Sequence, residues 1–195
     1  MGSTTLGKVR SRSPIAVALV VLVAVVATAC GGTPGTGTAP RTVRTRVHIA
    51  LPAGPNPSIS AKMVCAPEAQ RELANTLGVT TVSPITPTWV DHLYSCRYVY
   101  ANGAFTLSVK EVDNRAQTTA YFDMLGQQLG RTGALNGLGQ GAFTTTNGDV
   151  VVRKDYKVLL IDVSGLPAQF GVPPTSSADI AVTVADIIMG CWSGE

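Results

Sequence analysis

Two of the three Asn-Gly pairs, Asn102-Gly103 and Asn147-Gly148, constrain this chain more than any other local feature. Both residue types tolerate positive φ, which the two central residues of a tight hairpin turn require. Before the first pair, Cys96, Tyr98 and Tyr100 alternate along one run; after it, Phe105, Leu107 and Val109 alternate along the next. A period of two marks a strand with one buried face. The second pair joins Ala142–Thr146 to Asp149–Lys154. One further strand is expected at Lys157–Val163, where the unbroken Val158-Leu159-Leu160-Ile161 core suits a strand covered on both faces. Hairpins pair their strands antiparallel, so the sheet is expected to be antiparallel with about five strands.

Helical spacing appears in three places. Pro67 suits a first helical position, Ala69, Leu73 and Leu77 recur at i, i+4 and i+8, and Gly78 supplies a stop. A second helix is expected from Arg115 to Leu129, capped by Asp113 or Asn114, with Tyr121, Met124, Leu125 and Gln128 along one side. After a Pro-rich loop at Leu166–Thr175, a third begins at Ser176 with Asp179 three residues on. It carries Ile180, Val184, Ile187 and Ile188 inward and ends at Gly190. The expected order is α-β-β-α-β-β-β-α, an α+β domain with helices packed on the sheet.

The amino-terminal third reads differently. Lys8, Arg10 and Arg12 precede an uncharged apolar run, Ile15–Ala29, which ends in small residues before Cys30. A basic segment, a short apolar segment and a small-residue junction mark an export signal, residues 1–29. A cysteine directly after the junction Ala27-Thr28-Ala29 points to lipidation of Cys30 as the mature amino terminus. Ala27-Thr28-Ala29 also fits an ordinary cleavage site that would release a soluble protein. An uncleaved anchor is the third reading, although 15 residues fall short of the roughly 20 that span a bilayer. Residues 31–46 are almost wholly Gly, Thr, Pro and Arg, with too little apolar surface to offset ordering entropy. Residues 30–61 are therefore expected to be the lipidated cysteine and a flexible tether, and residues 62–195 one globular domain.

The formal charge of +3 belongs to the amino-terminal third. From residue 62 onward there are 9 Lys and Arg against 12 Asp and Glu, so the domain itself is near −3. A nucleic-acid-binding domain needs a concentrated basic face, so no nucleic-acid partner is expected. Arg41, Arg44 and Arg46 lie behind the anchor, where such cations either face anionic headgroups or stay solvated.

Several short motifs then combine. They are Val64-Cys65-Ala66-Pro67, Ser95-Cys96-Arg97-Tyr98, the Gly-Leu-Gly-Gln-Gly-Ala turn at 137–142 and the closing Cys191-Trp192. With the lipoprotein-type signal, the chain resembles the small mycobacterial and related actinobacterial envelope lipoproteins. Several of these have a PsbP-like α+β domain, as in the LpqN group. The resemblance covers most of residues 62–195, implies fold and location, and carries over no catalytic residue. Arg outnumbering Lys by 10 to 5 fits a GC-rich genome of that kind.

With Cys30 assigned to lipid, Cys65, Cys96 and Cys191 remain, an odd number for an oxidising compartment. One bridge is expected out of three pairings. Cys65–Cys96 is favoured because it ties the first helix to the first strand, leaving Cys191 either as an inert buried thiol or as a reactive one.

The sequence holds few candidates for chemistry. Gly137-Leu138-Gly139-Gln140-Gly141 follows a helix and opens a strand, the reverse of a dinucleotide-binding loop, and reads as a turn. His48 lies in the tether, and His92 next to Asp91 reads as a surface pair. Asp179 and Asp186 share a helix face, where a cap and a solvated residue are the simpler reading. No C-x-x-C pair occurs, so no metal ligand set and no cofactor is expected. The expectation is a non-enzymatic binding or accessory protein on the extracytoplasmic face of the cell membrane, its partner an apolar, lipid-like ligand or an envelope protein. The alternative is a cell-wall or lipid-modifying hydrolase without a recognisable motif.

Overall fold

The Asn-Gly pairs at 102-103 and 147-148 lie at hairpins, yet neither makes the turn with two positive-φ central residues that such pairs favour. The computed structural model describes residues 50–192. In it, strand β1 (Thr88–Val90) leads into β2 (Leu93–Tyr100) and β3 (Gly103–Glu111). Tyr100 pairs with Gly103, so the turn residues are Ala101 and Asn102, and Gly103 already belongs to the strand. Its glycine is required by packing instead. A Cβ there would lie 2.9 Å from the Gly165 carbonyl oxygen and 2.9 Å from Pro167 Cδ. The turn with positive φ at both centres is Asp91-His92, at 49° and 58°, between Val90 and Leu93. Residue types other than glycine visit that region at a cost, Asp, Asn and His least reluctantly.

Helix α1 (Ile59–Met63) and helix α2 (Pro67–Leu77) precede the sheet, and helix α3 (Arg115–Gln128) follows β3. Strands β4 (Arg131–Leu135), β5 (Gly141–Thr145), β6 (Val150–Lys154) and β7 (Lys157–Asp162) then run as a meander. At the Asn147-Gly148 pair, Gly148 has φ 85° and its N–H donates to the Thr145 carbonyl, while Thr145 N–H donates to the Asp149 carbonyl. That is a three-residue loop with a left-handed glycine at its end. Two short strands, β8 (Gln169–Phe170) and β9 (Thr175–Ser176), pair with each other inside the Pro-rich loop, and helix α4 (Ser177–Cys191) closes the domain.

The main sheet has seven strands in the order β1-β2-β3-β7-β6-β5-β4, every neighbouring pair antiparallel. The architecture is α+β, as expected, but the five-strand sheet and the element order need correcting. β1 is only three residues long, and β4 is an Arg-Thr-Gly-Ala-Leu strand with a register shift between Arg131 and Gly133. Neither has the alternating apolar pattern that identifies a strand in sequence. Both are edges held by a neighbour: Thr132 and Thr144 hydroxyls meet at 3.0 Å, and Thr88 and Ser95 hydroxyls at 2.8 Å.

Helices cover both faces. On one, α2 and α4 pack together with Cys96, Tyr98, Phe105, Leu107, Val109, Leu159 and Ile161 of the sheet, and Leu73, Val184 and Ile188 of the helices are fully buried. On the other face, α3 lies over β6 and β7, where Phe122 meets Phe143 edge-on at 4.8 Å beside Val151 and Val158. β7 thus serves both cores, as its continuous apolar run predicts.

Helix boundaries follow the caps, with two corrections. Gly78 ends α2 at φ 65°, and Asn114 caps α3 by accepting the Gln117 N–H at 2.9 Å. Ser176 caps α4 by accepting the Asp179 N–H at 3.1 Å. The inward side of α3 is Thr118, Phe122, Leu125 and Gly126; Tyr121 and Met124 are half-buried and Gln128 is exposed. α4 also passes through Gly190, because Cys191 and Trp192 are buried and Lys154 Nζ donates to the Trp192 carbonyl at 2.7 Å. Tertiary anchoring outweighs the weak helix propensity of one glycine. Hydrogen-bonded structure is present before residue 62 as well, in α1 and in the Ala53–Val112 contact.

Candidate functional site

The chain before α1 is laid along one end of the sheet. Ala53 N–H donates to the Val112 carbonyl at 3.0 Å, and Trp89 Nε1–H donates to the Pro55 carbonyl at 3.2 Å. Ser58 then does two jobs. Its hydroxyl oxygen accepts the Ala61 N–H at 3.2 Å, capping α1, and the hydroxyl donates to Glu111 Oε1, which also receives the Ser58 N–H at 3.2 Å. Glu111 is 3% exposed, at the inner end of β3, and its own N–H donates to the His92 carbonyl at 2.8 Å. Lys157 lies opposite it across the β3–β7 pair and is buried as well.

These bonds shape a surface groove of about 290 Å³, lined by Leu51, Pro52, Gly54, Asn56, Pro57, Ser58 and Ile59 with Glu111 in the wall. Its lining is mostly apolar, and Leu51 and Ile59 leave 59% and 71% of their surface to solvent. Beside it, Trp89 packs edge-on against His92 at 5.6 Å and tilted against Tyr94 at 6.5 Å. Val90, next along β1, is 63% exposed. The Asp91-His92 turn is tied down by Lys110 Nζ, which donates to the Asp91 carbonyl. The arrangement is built for contact. The Glu111 carboxylate is already engaged by Ser58, and the rest of the lining is apolar apart from Asn56. Clefts of similar size occur elsewhere, one of 270 Å³ between α2 and Thr80-Thr81, and a more polar one of 280 Å³ beside Ser164 and Ser177.

Of the residues singled out in sequence, Cys30, Arg41, Arg44, Arg46, His48 and the export signal lie outside the described residues. Cys65 and Cys96 form the disulfide, their Cα atoms 5.9 Å apart, joining the chain just before α2 to an inward position of β2. Cys191 is buried at the end of α4. His92 stands edge-on against Trp89. Asp179 receives the Ser176 hydroxyl at 2.6 Å as part of the cap, and Asp186 is exposed. In the glycine-rich turn, Gln140 Nε2 donates to Asp155 at 3.1 Å and Asp155 N–H returns a bond to Gln140 Oε1 at 3.0 Å, so the segment is a locked β4–β5 connection. Among the described residues no group of three His, Cys, Asp or Glu side chains is placed to hold a metal, and no helix is long and apolar enough to cross a membrane.

Two buried carboxylates escaped the sequence reading. Glu111 continues the Phe105, Leu107, Val109 alternation, so the period of two already placed it inward. Asp149, directly after the Asn147-Gly148 pair, accepts the Val163 N–H at 3.0 Å and the Thr145 hydroxyl at 3.0 Å. Burial pushes its carboxyl up from the ordinary range, these two hydrogen bonds oppose that, and the nearby Asp162 charge adds to it. No local pattern announces it.

Comparison with protein-family models, curated proteins and solved structures returns no match.

Proposed function

We propose that this chain is a lipid-anchored protein of the bacterial cell envelope, acylated at Cys30, whose α+β domain binds rather than catalyses. The location is read from the signal and the Cys30 junction, and the PsbP-like reading of the domain from its resemblance to the actinobacterial envelope lipoproteins. The observation that carries the binding role is the groove at Leu51–Ile59. It is an apolar depression with two well-exposed aliphatic side chains, held open by a hydrogen-bonded frame. Volumes of roughly 300–1,000 Å³ are usual for drug-sized ligands, so a groove at the lower limit fits an acyl chain or an extended apolar segment lying across the surface. Leu107, Val109, Leu159, Ile161, Val184 and Ile188 of the larger core are closed to solvent, whereas the groove is open to it. The binding of a lipid-like molecule at the surface is therefore the function the geometry supports best.

Native mass spectrometry of the mature chain purified from its own host tests this reading. A co-purifying lipid that is absent from Ile59→Asp supports it. A ligand-free protein, or a ligand retained by Ile59→Asp, places the function elsewhere.

A further inference from the structure

We infer that the end of the domain bearing Leu51, Ile59, Trp89 and Val90 docks on the phospholipid surface of the membrane that holds the anchor. This rests on the anchored reading above and names the occupant of the same groove.

The first argument is continuity. Leu51 and Ile59 line one groove, Trp89 is bonded to Pro55 of that segment, and Ser58, Glu111 and His92 are linked in turn. Two of the five large apolar side chains most open to solvent among the described residues, Leu51 and Ile59, therefore share one groove, and a third, Val90, follows Trp89 on the edge strand beside it. Exposed apolar groups scattered singly need no explanation, but a contiguous group marks an interaction surface.

The second argument is chemical. Trp89 is half-buried with its indole N–H satisfied, leaving an apolar ring at the margin of the patch. Amphipathic aromatic rings of this sort are enriched where one side is hydrocarbon and the other is wet. Lys62 and Lys110 accompany the patch, and Arg41, Arg44 and Arg46 precede it in sequence, against a domain that is otherwise net acidic. Cations beside an apolar patch suit a surface of anionic headgroups over acyl chains.

The third argument is reach. The described chain starts at Ala50, next to Leu51, and residues 31–49 separate it from Cys30. Nineteen residues extend at most about 65 Å. An anchored chain therefore keeps this end within that distance of the bilayer, where a weak contact is intramolecular in effect and needs little intrinsic affinity.

The test uses the full acylated chain carrying Trp192→Phe, which leaves Trp89 as its sole indole, reconstituted into phosphatidylglycerol and phosphatidylethanolamine vesicles with brominated acyl chains. The expected result is loss of most Trp89 emission relative to unbrominated vesicles. Leu51→Asp with Ile59→Asp should restore the emission, and Val172→Asp, at an exposed site against the carboxy-terminal end of α2, should not. Mass analysis of the Cys30 peptide is read in the same sample. Acylated Cys30 with unquenched Trp89 overturns the docking and leaves the anchored reading intact. That holds also if the emission is blue-shifted, which would mean that residues 31–49 or a protein cover the patch. An unacylated Cys30 overturns both.

Discussion

Ser58 gives both its N–H and its hydroxyl to one oxygen of Glu111, 53 residues further along the chain. This contact joins the segment leading into the domain to the end of a central strand. It also starts α1, since the same hydroxyl oxygen accepts the Ala61 N–H. Glu111→Ala should leave the Ser58 donors without their partner and open a small void, at a cost of about 1–3 kcal/mol. Glu111→Gln, which keeps an acceptor oxygen, should lose less. Urea denaturation of the two variants checks the order; equal losses would mean that the hydrogen bonds contribute nothing.

A chain starting at Ala50 should melt with the full mature protein, whereas one starting at Asn56 should not. The shorter chain lacks the Ala53–Val112 and Pro55–Trp89 hydrogen bonds. At about 1 kcal/mol each, their loss should lower Tm by several degrees. Calorimetry of the two chains decides it, and identical melting would show that the segment before Ser58 adds no stability.

The Cys65–Cys96 bridge spans 31 residues. In the chain-entropy treatment, closing a loop of that size stabilises by about 3–4 kcal/mol. Cys65→Ser with Cys96→Ser should lose approximately that amount in guanidinium denaturation. Peptide mapping without reductant should find Cys65 linked to Cys96, and Cys191 alkylated only after unfolding. A linked Cys191 would rule this pairing out.

Asp149 should make stability depend on pH in a direction opposite to that of a salt-bridged carboxylate. Its folded pKa is raised by burial, so between the ordinary carboxylate value and the raised one the folded state holds more protons than the unfolded state. Stability from this group therefore increases as pH falls through the raised value, and levels off below the ordinary one. Relative to Asp149→Asn, the wild-type protein should gain stability over that window. A difference independent of pH would show that the carboxyl is not perturbed.

Gly126, on the inward side of α3, should gain stability on exchange for Ala only when Arg131 is gone. A Cβ at Gly126 would lie 2.8 Å from Arg131 Nη2, and that guanidinium sits over the rings of Phe143 and Phe122 at 4.2 and 4.9 Å. Ala in place of Gly in a helix gains about 1 kcal/mol; displacing the guanidinium forfeits a cation–π contact of about 0.5–1 kcal/mol plus the clash. In the Arg131→Ala background only the gain remains. A double-mutant cycle reads this directly: Gly126→Ala should stabilise that background and give no net gain in the wild type.

How far the chain could be read depends on whether a feature is local. The alternations around residues 96–100 and 105–109, the i, i+4, i+8 spacing of Ala69, Leu73 and Leu77, and the Ser176–Asp179 cap are short-range patterns. They determined the two inner hairpins, the antiparallel sheet and the positions of α2, α3 and α4 without help from the rest of the fold. The pairing of Cys65 with Cys96 was legible for a related reason, as the two flank one helix and one strand that had to meet. The candidate groove was half legible: Glu111 sits in the β3 alternation, but its partner Ser58 is 53 residues away in a Pro-rich stretch with no periodicity.

Other features were decided only by tertiary structure. The edge strands β1 and β4 exist because β2 and β5 offer them hydrogen bonds, and neither Thr-Trp-Val nor Arg-Thr-Gly-Ala-Leu would hold a strand alone. The first turn fell on Ala101-Asn102 because Gly103 was needed bare against Gly165 and Pro167. Helix α4 continued past Gly190 because Cys191 and Trp192 had a core to enter and Lys154 to cap them. Local propensities differ by about 1 kcal/mol or less per residue, and burial of a large side chain contributes about 1.5–3 kcal/mol. Where the two disagreed, the long-range contacts, which no window of neighbouring residues contains, set the outcome.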